Sequence, residues 1–136
     1  MKAIADIVRQ GLESRLPDLL KAKESAVRPT RGWLRAVREA TGINQTVLAK
    51  RLGVKRQSYA QLEESEAQGS ISLTSLQKAA ATMDCDVVYY LVPRAAVATT
   101  YAELAKKHDP KFKHLAATEH SMALENQAVG DLKPKP

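Results

Sequence analysis

The chain has a single cysteine, Cys85, among its 136 residues, so no internal disulfide can form. A lone thiol fits a reducing compartment. Aromatics are scarce at 4%, so any core must rest on Leu, Val, Ile and Ala, a composition that favours helices. No apolar run approaches the roughly 18 residues of a membrane-spanning helix. The opening stretch "MKAIADIVRQGLESRLPDLL" sets acids among its apolar residues and lacks the unbroken core of a signal peptide. The expected location is therefore cytoplasmic.

Acid is the other scarcity, and it is local. From Arg28 to Gln61, eight cations face one acid, Glu39, for a charge of +7. Residues 1–27 carry +1, residues 62–98 carry −3 and residues 99–136 carry +1, giving +6 in all. Basicity confined to one segment is the footprint of a polyanion partner rather than of general solubility.

Enzyme chemistry has no residue set to carry it. There is no glycine-rich phosphate loop, and Ser58 is a small packing residue rather than a nucleophile. His108, His114 and His120 are six apart with Pro110 between them, which does not make a zinc site. Cys85 lies between Asp84 and Asp86, without the cations that activate a thiol, so packing is its expected role. No cofactor and no metal are expected.

Hydrophobic periodicity supplies the organisation. Ile4, Ile7, Val8, Leu12, Leu16, Leu19 and Leu20 make one helical stripe over residues 2–24, which must be buried on the domain or on a second subunit. Pro17 should kink or divide that helix. After the linker "SAVRPT", four helical segments follow. "TRGWLRAVREAT" points Trp33, Leu34, Val37 and Ala40 inward, with Thr30 a possible cap and Gly42 its stop. "NQTVLAKRL" is capped by Asn44 and turns Val47, Leu48 and Leu52 inward. "KRQSYAQLEE" holds to the core through Val54, Ser58, Tyr59 and Leu62. "LTSLQKAAATMD" uses Leu73, Leu76, Ala79, Ala80 and Met83.

The period then changes. "DVVYYLV", residues 86–92, is β-branched and aromatic and reads as a strand. One strand cannot satisfy its own backbone, so Val87, Val88, Tyr89, Tyr90 and Leu91 are expected to pair antiparallel with a second copy and close a two-fold homodimer. A helical pattern resumes over residues 95–108, a last helix is expected within 113–129 and a frayed tail over 130–136. The expected domains are a helical extension (1–27), a DNA-binding domain (28–85), a dimerisation strand (86–93), a second extension (94–129) and the tail.

The order helix, glycine turn, helix in "NQTVLAKRLGVKRQSYAQLEE" is that of a helix-turn-helix. Ala49 is small where the helices approach, Gly53 tolerates a left-handed turn, and Val54 follows it. Such a pair presents the second helix to a major groove. Arg56, Gln57 and Gln61 are then the base readers, because Arg matches guanine and Gln matches adenine in bidentate fashion. Gln45, Arg31, Arg35, Lys50, Arg51, Lys55 and Ser58 are candidate contacts to the DNA backbone.

"INQTVLAKRLGVKRQSYAQLEES" resembles the Xre-type helix-turn-helix of lambdoid phage repressors, over about residues 31–83. The resemblance implies a mainly α, lambda-repressor-like bundle of five helices in which Gln45, Arg56, Gln57 and Gln61 face double-stranded DNA. Lys55 departs from it, standing where a Ser or Thr cap is usual. "RPTRGWLRAVREATG", "RQSYAQLEESEAQGSISLTSLQKAAATMDCDVVYYLVPR" and "EHSMALENQAV" are similar to the bacterial family called mobile mystery protein A. That resemblance implies an antitoxin-like autorepressor beside a Fic-domain protein. The competing expectation is a protein-interaction module that neutralises a Fic-type enzyme, with DNA binding secondary.

Overall fold

The computed structural model describes residues 2–109, which fall into two compact units. One is Ala26–Tyr89; the other joins Met1–Ser25 to the chain from Tyr90 onward. The expected helix within 113–129, the tail, His114 and His120 lie outside the described residues. Those residues hold six helices and no strand.

The unit Ala26–Tyr89 contains α2 (Trp33–Thr41), α3 (Gln45–Leu52), α4 (Arg56–Gln68) and α5 (Leu73–Ala81). Four helices, not five, make this domain. Leu34, Leu48, Ala49, Tyr59, Ala79, Ala80 and Met83 form its buried centre, and Cys85 and Val87 pack against it. Full burial pushes the Tyr59 hydroxyl pKa upward, so it stays neutral in the core.

The inward faces differ from the expected ones in a consistent way. Trp33 is 45% exposed, and Val47, Val54 and Leu73 are also exposed, as are Ala40 and Ser58. Each residue advances about 100° around a helix. In α4 the inward row is Tyr59, Leu62, Glu63 and Glu66, which leaves Ser58 on the flank. In α2 the row is Leu34, Val37 and Arg38, because Arg38 turns in to meet Glu63, and this rotates Trp33 and Ala40 outward.

Glu66 explains the start of α2. The helix begins after Gly32, which makes no side-chain cap, and not at Thr30. The Leu34 amide instead donates to Glu66 Oε1 at 2.9 Å, so a buried glutamate from α4 caps α2. Arg28 donates to the Glu66 and Ala67 carbonyls at 2.7 and 3.2 Å, closing the end of α4. Gly32 has φ 92°, and a Cβ there would fall 2.4 Å from Glu66 Oε1. Gly32→Ala is therefore expected to cost about 2 kcal/mol, combining left-handed strain with a displaced cap. Urea unfolding measures it; a loss below a few tenths of a kcal/mol would contradict the cap.

In the other unit, α1 (Lys2–Ser25) runs on through Pro17 as one helix rather than two, with Leu16 beside it buried. The segment 95–100 is turn, not helix, and α6 (Tyr101–His108) starts only after Thr100. A capping box sets that boundary. The Thr100 hydroxyl accepts from the Glu103 amide, and the Glu103 carboxylate accepts from the Thr99 amide. Hydrogen bonds from Thr99 hold the Glu103 carboxyl below its usual pKa range. Glu13 of α1 accepts from the free Tyr101 and Ala102 amides, fastening α6 to α1.

Candidate nucleic-acid interface

The geometry of α3 and α4 follows from three local features. Asn44 Oδ1 accepts from the Val47 amide at 3.0 Å and caps α3, as its sequence position predicts. The first-turn amides of α3 have no carbonyl within their own helix to bond. Gly53 ends α3 with φ 79° and ψ 29°, and the Val54 amide closes on the Ala49 carbonyl at 2.9 Å. No atom lies within 4 Å of a Cβ at Gly53, so backbone conformation alone calls for glycine there. Ala49 is buried in the core cluster that also holds Leu48 and Tyr59.

Beyond the turn, α4 sorts its side chains by angle. Gln57 and Gln61 are exposed, one turn apart, on the side opposite Tyr59, Glu63 and Glu66. Arg56 is exposed on the Glu63 side instead. It lines an open concavity of about 450 Å³ with Arg35, Arg38, Glu39, Asn44, Gln45 and Thr46, at the start of α3. The three expected base readers thus occupy two neighbouring positions: the glutamines on the outer face, the arginine beside the first turn of α3.

Sequence reasoning missed the network that supports this corner. Arg38 grips the Glu63 carboxylate with a fork, Nε to Oε2 at 2.5 Å and Nη2 to Oε1 at 3.1 Å. Gln45 Nε2 donates to the same Oε1 at 2.9 Å. The Arg38 fork to Glu63 raises the Arg38 pKa further above its already high value. An amide nitrogen carries two hydrogens, so Gln45 keeps one donor for an external acceptor while Glu63 fixes its orientation.

The expected backbone contacts are spread around this corner. Arg35 pairs with Glu39 at 3.1 Å on the surface and reaches the concavity. Arg31, Lys50, Lys55 and Ser58 are exposed. Arg51 lies in a second concavity with Leu52, Lys78, Ala81, Thr82 and Asp84, where it donates to the Thr82 carbonyl at 2.8 Å. It is held to the end of α5, apart from the Arg35–Gln45–Arg56 corner.

Lys55 occupies the N-cap of α4 with cap-like dihedrals, φ −75° and ψ 154°, and makes no side-chain cap bond. Lys55→Ser is expected to stabilise the domain by about 1 kcal/mol, visible as a rise of several degrees in Tm. An unchanged Tm would mean that the α4 amides already have adequate partners.

Residues 34–90 match the family model HTH_3, described as helix-turn-helix. No curated protein and no solved structure matches the chain. No helix among the described residues is long and apolar enough to cross a membrane. Cap, left-handed glycine turn and outward-facing second helix agree with the matched segment, and residues 34–90 carry a helix-turn-helix.

Proposed function

We propose that this protein is a sequence-specific, non-catalytic binder of double-stranded DNA that acts as a homodimer on an inverted repeat and represses its own operon. The observation that carries the reading is the division of α4: Tyr59 and Glu63 are buried, while Gln57 and Gln61 stand clear on the opposite side. With α4 in a major groove, these glutamines meet base edges. Gln45, Arg35 and the first turn of α3 meet the flanking phosphates, and Arg56 beside them is within reach of either a guanine edge or a phosphate. Arg31, Lys50, Arg51, Lys55 and Ser58 extend the backbone contacts. Selection of bound sequences from a random duplex pool tests this directly. An enriched inverted repeat, with half-site centres ~34–36 Å or a multiple apart, is expected; a pool left unenriched would sink the proposal.

Residues 86–92 support the dimer. They form neither helix nor strand ladder in one chain, where the Leu91 carbonyl accepts from the Tyr101 hydroxyl, and Val88, Tyr89 and Leu91 are 84%, 64% and 79% exposed. Within this stretch, Val87 is held on the core of its own chain. Antiparallel pairing with a second copy would satisfy their backbone and cover these side chains. Val88→Pro should remove a ladder donor and give chains with poor operator affinity and reduced mass in sedimentation. A variant that keeps the mass and affinity of the parent would rule out this pairing.

The similarity to mobile mystery protein A extends the proposal to an antitoxin-like role beside a Fic-domain protein. Co-purification with the product of the neighbouring gene is the expected result; a neighbour that elutes alone would remove the partner and leave the DNA reading standing.

A further inference from the structure

The acids of α4 are Glu63, Glu64 and Glu66, and they are used differently. Glu63 and Glu66 are buried and bonded within the domain, Glu63 to Arg38 and Gln45, Glu66 to the Leu34 amide. Glu64 is exposed. At about 100° per residue, Gln57, Gln61, Glu64 and Gln68 fall within roughly 60° of one another and make one straight row along the helix. That row lies opposite buried Tyr59, Glu63 and Glu66. Gln68 Nε2 donates to Glu64 Oε1 at 3.0 Å, which holds the carboxylate along the row. Glu64 therefore stands on the face that Gln57 and Gln61 present, about 4.5 Å along the axis from Gln61 and about 10.5 Å from Gln57. At about 3.4 Å per base pair, those rises are roughly one and three base-pair steps.

An acid on a face turned toward a polyanion costs affinity unless it meets a donor. A carboxylate only accepts hydrogen bonds. In the major groove guanine and thymine offer acceptors, adenine a donor beside an acceptor, and cytosine a donor alone. We propose that Glu64 is a third specificity determinant of α4, which accepts from the cytosine amino group of a C·G pair about one step beyond the pair that Gln61 reads. The inference rests on α4 lying in a major groove, and it deepens that reading. Selection would work by penalty as well as by contact. With guanine or thymine in that place, the carboxylate gives up water and gains no donor. The competing arrangement is an acid over the sugar–phosphate backbone, which would repel every duplex alike.

Sequence selection from a random duplex pool with the full chain, followed by titration, tests the proposal. Gln61→Ala marks the pair that Gln61 reads, by the base preference it loses. The parent chain should select a C·G pair next to that one in each half-site. Glu64→Gln keeps the size of an exposed side chain and should leave Tm unchanged. It should cut the preference for that C·G pair about tenfold. On a duplex with T·A in its place, Glu64→Gln should bind several-fold more tightly than the parent does. Equal tightening on both duplexes would reveal an acid that faces the backbone and overturn the proposal, as would a variant motif identical to the parent motif. A parent motif with no C·G preference at that pair overturns Glu64 alone. A parent pool left unenriched removes the DNA-binding reading itself, and Glu64 with it.

Discussion

Arg38→Ala is expected to destabilise the helix-turn-helix domain by about 3–5 kcal/mol, the typical cost of stranding a buried charge. The side chain of Glu63 is 7% exposed and that of Arg38 15%. The Glu63 carboxylate has Arg38 and Gln45 as its side-chain donors. With the guanidinium gone, one glutamine amide is left to solvate a buried anion. The pair itself is a different matter. Desolvation offsets most of its attraction, and a well-packed apolar replacement of both partners is often neutral or better. Arg38→Met combined with Glu63→Leu should therefore recover most of the stability lost in Arg38→Ala. Urea unfolding of parent, both single variants and the double variant closes the cycle. A loss under about 1 kcal/mol in Arg38→Ala would show that water reaches Glu63. The double variant also separates stability from function: it should fold, yet bind DNA more weakly, because Gln45 loses the oxygen that orients it.

How much of this was legible in the sequence depended on the range of the interaction. The caps and turn of α3 were readable because Asn44 and Gly53 act on neighbours a few residues away. The buried row of α5 was readable because Ala79, Ala80 and Met83 recur at helical spacing. The Arg38–Glu63 fork joins residues 25 apart, and the Glu66 cap reaches Leu34 across 32; no periodicity marks either. Both place charge on inward faces, where hydrophobic patterning expects none, and so Trp33 and Ser58 turn to the surface although the pattern points them inward. The α6 boundary was different. Thr100 and Glu103 spell a capping box, a local signal that the longer apolar pattern over 95–108 obscured. Residues 86–92 carry a strand signal whose expected partner is another molecule; in one chain they form no strand, and Val88, Tyr89 and Leu91 are exposed.

Gln57→Ala and Gln61→Ala should each cost about 1–3 kcal/mol on the preferred duplex and almost nothing on unrelated duplex, because a bidentate glutamine contact discriminates between bases. Neither side chain is buried, so Tm should hardly move. That pairing of lost specificity with unchanged stability is what marks a reader. Arg56 should behave otherwise. It lies at the concavity beside Gln45 and Arg35, away from the outer row. If it holds a phosphate there, Arg56→Ala weakens all sequences alike and lowers the salt slope by about one. If instead it reaches a guanine, its loss is confined to one base pair and leaves the slope nearly intact. Titration of the three variants against preferred and unrelated duplexes at several salt concentrations therefore resolves the corner residue by residue. Equal losses on both duplexes for Gln57→Ala and Gln61→Ala would remove α4 from the groove, whatever Arg56 does.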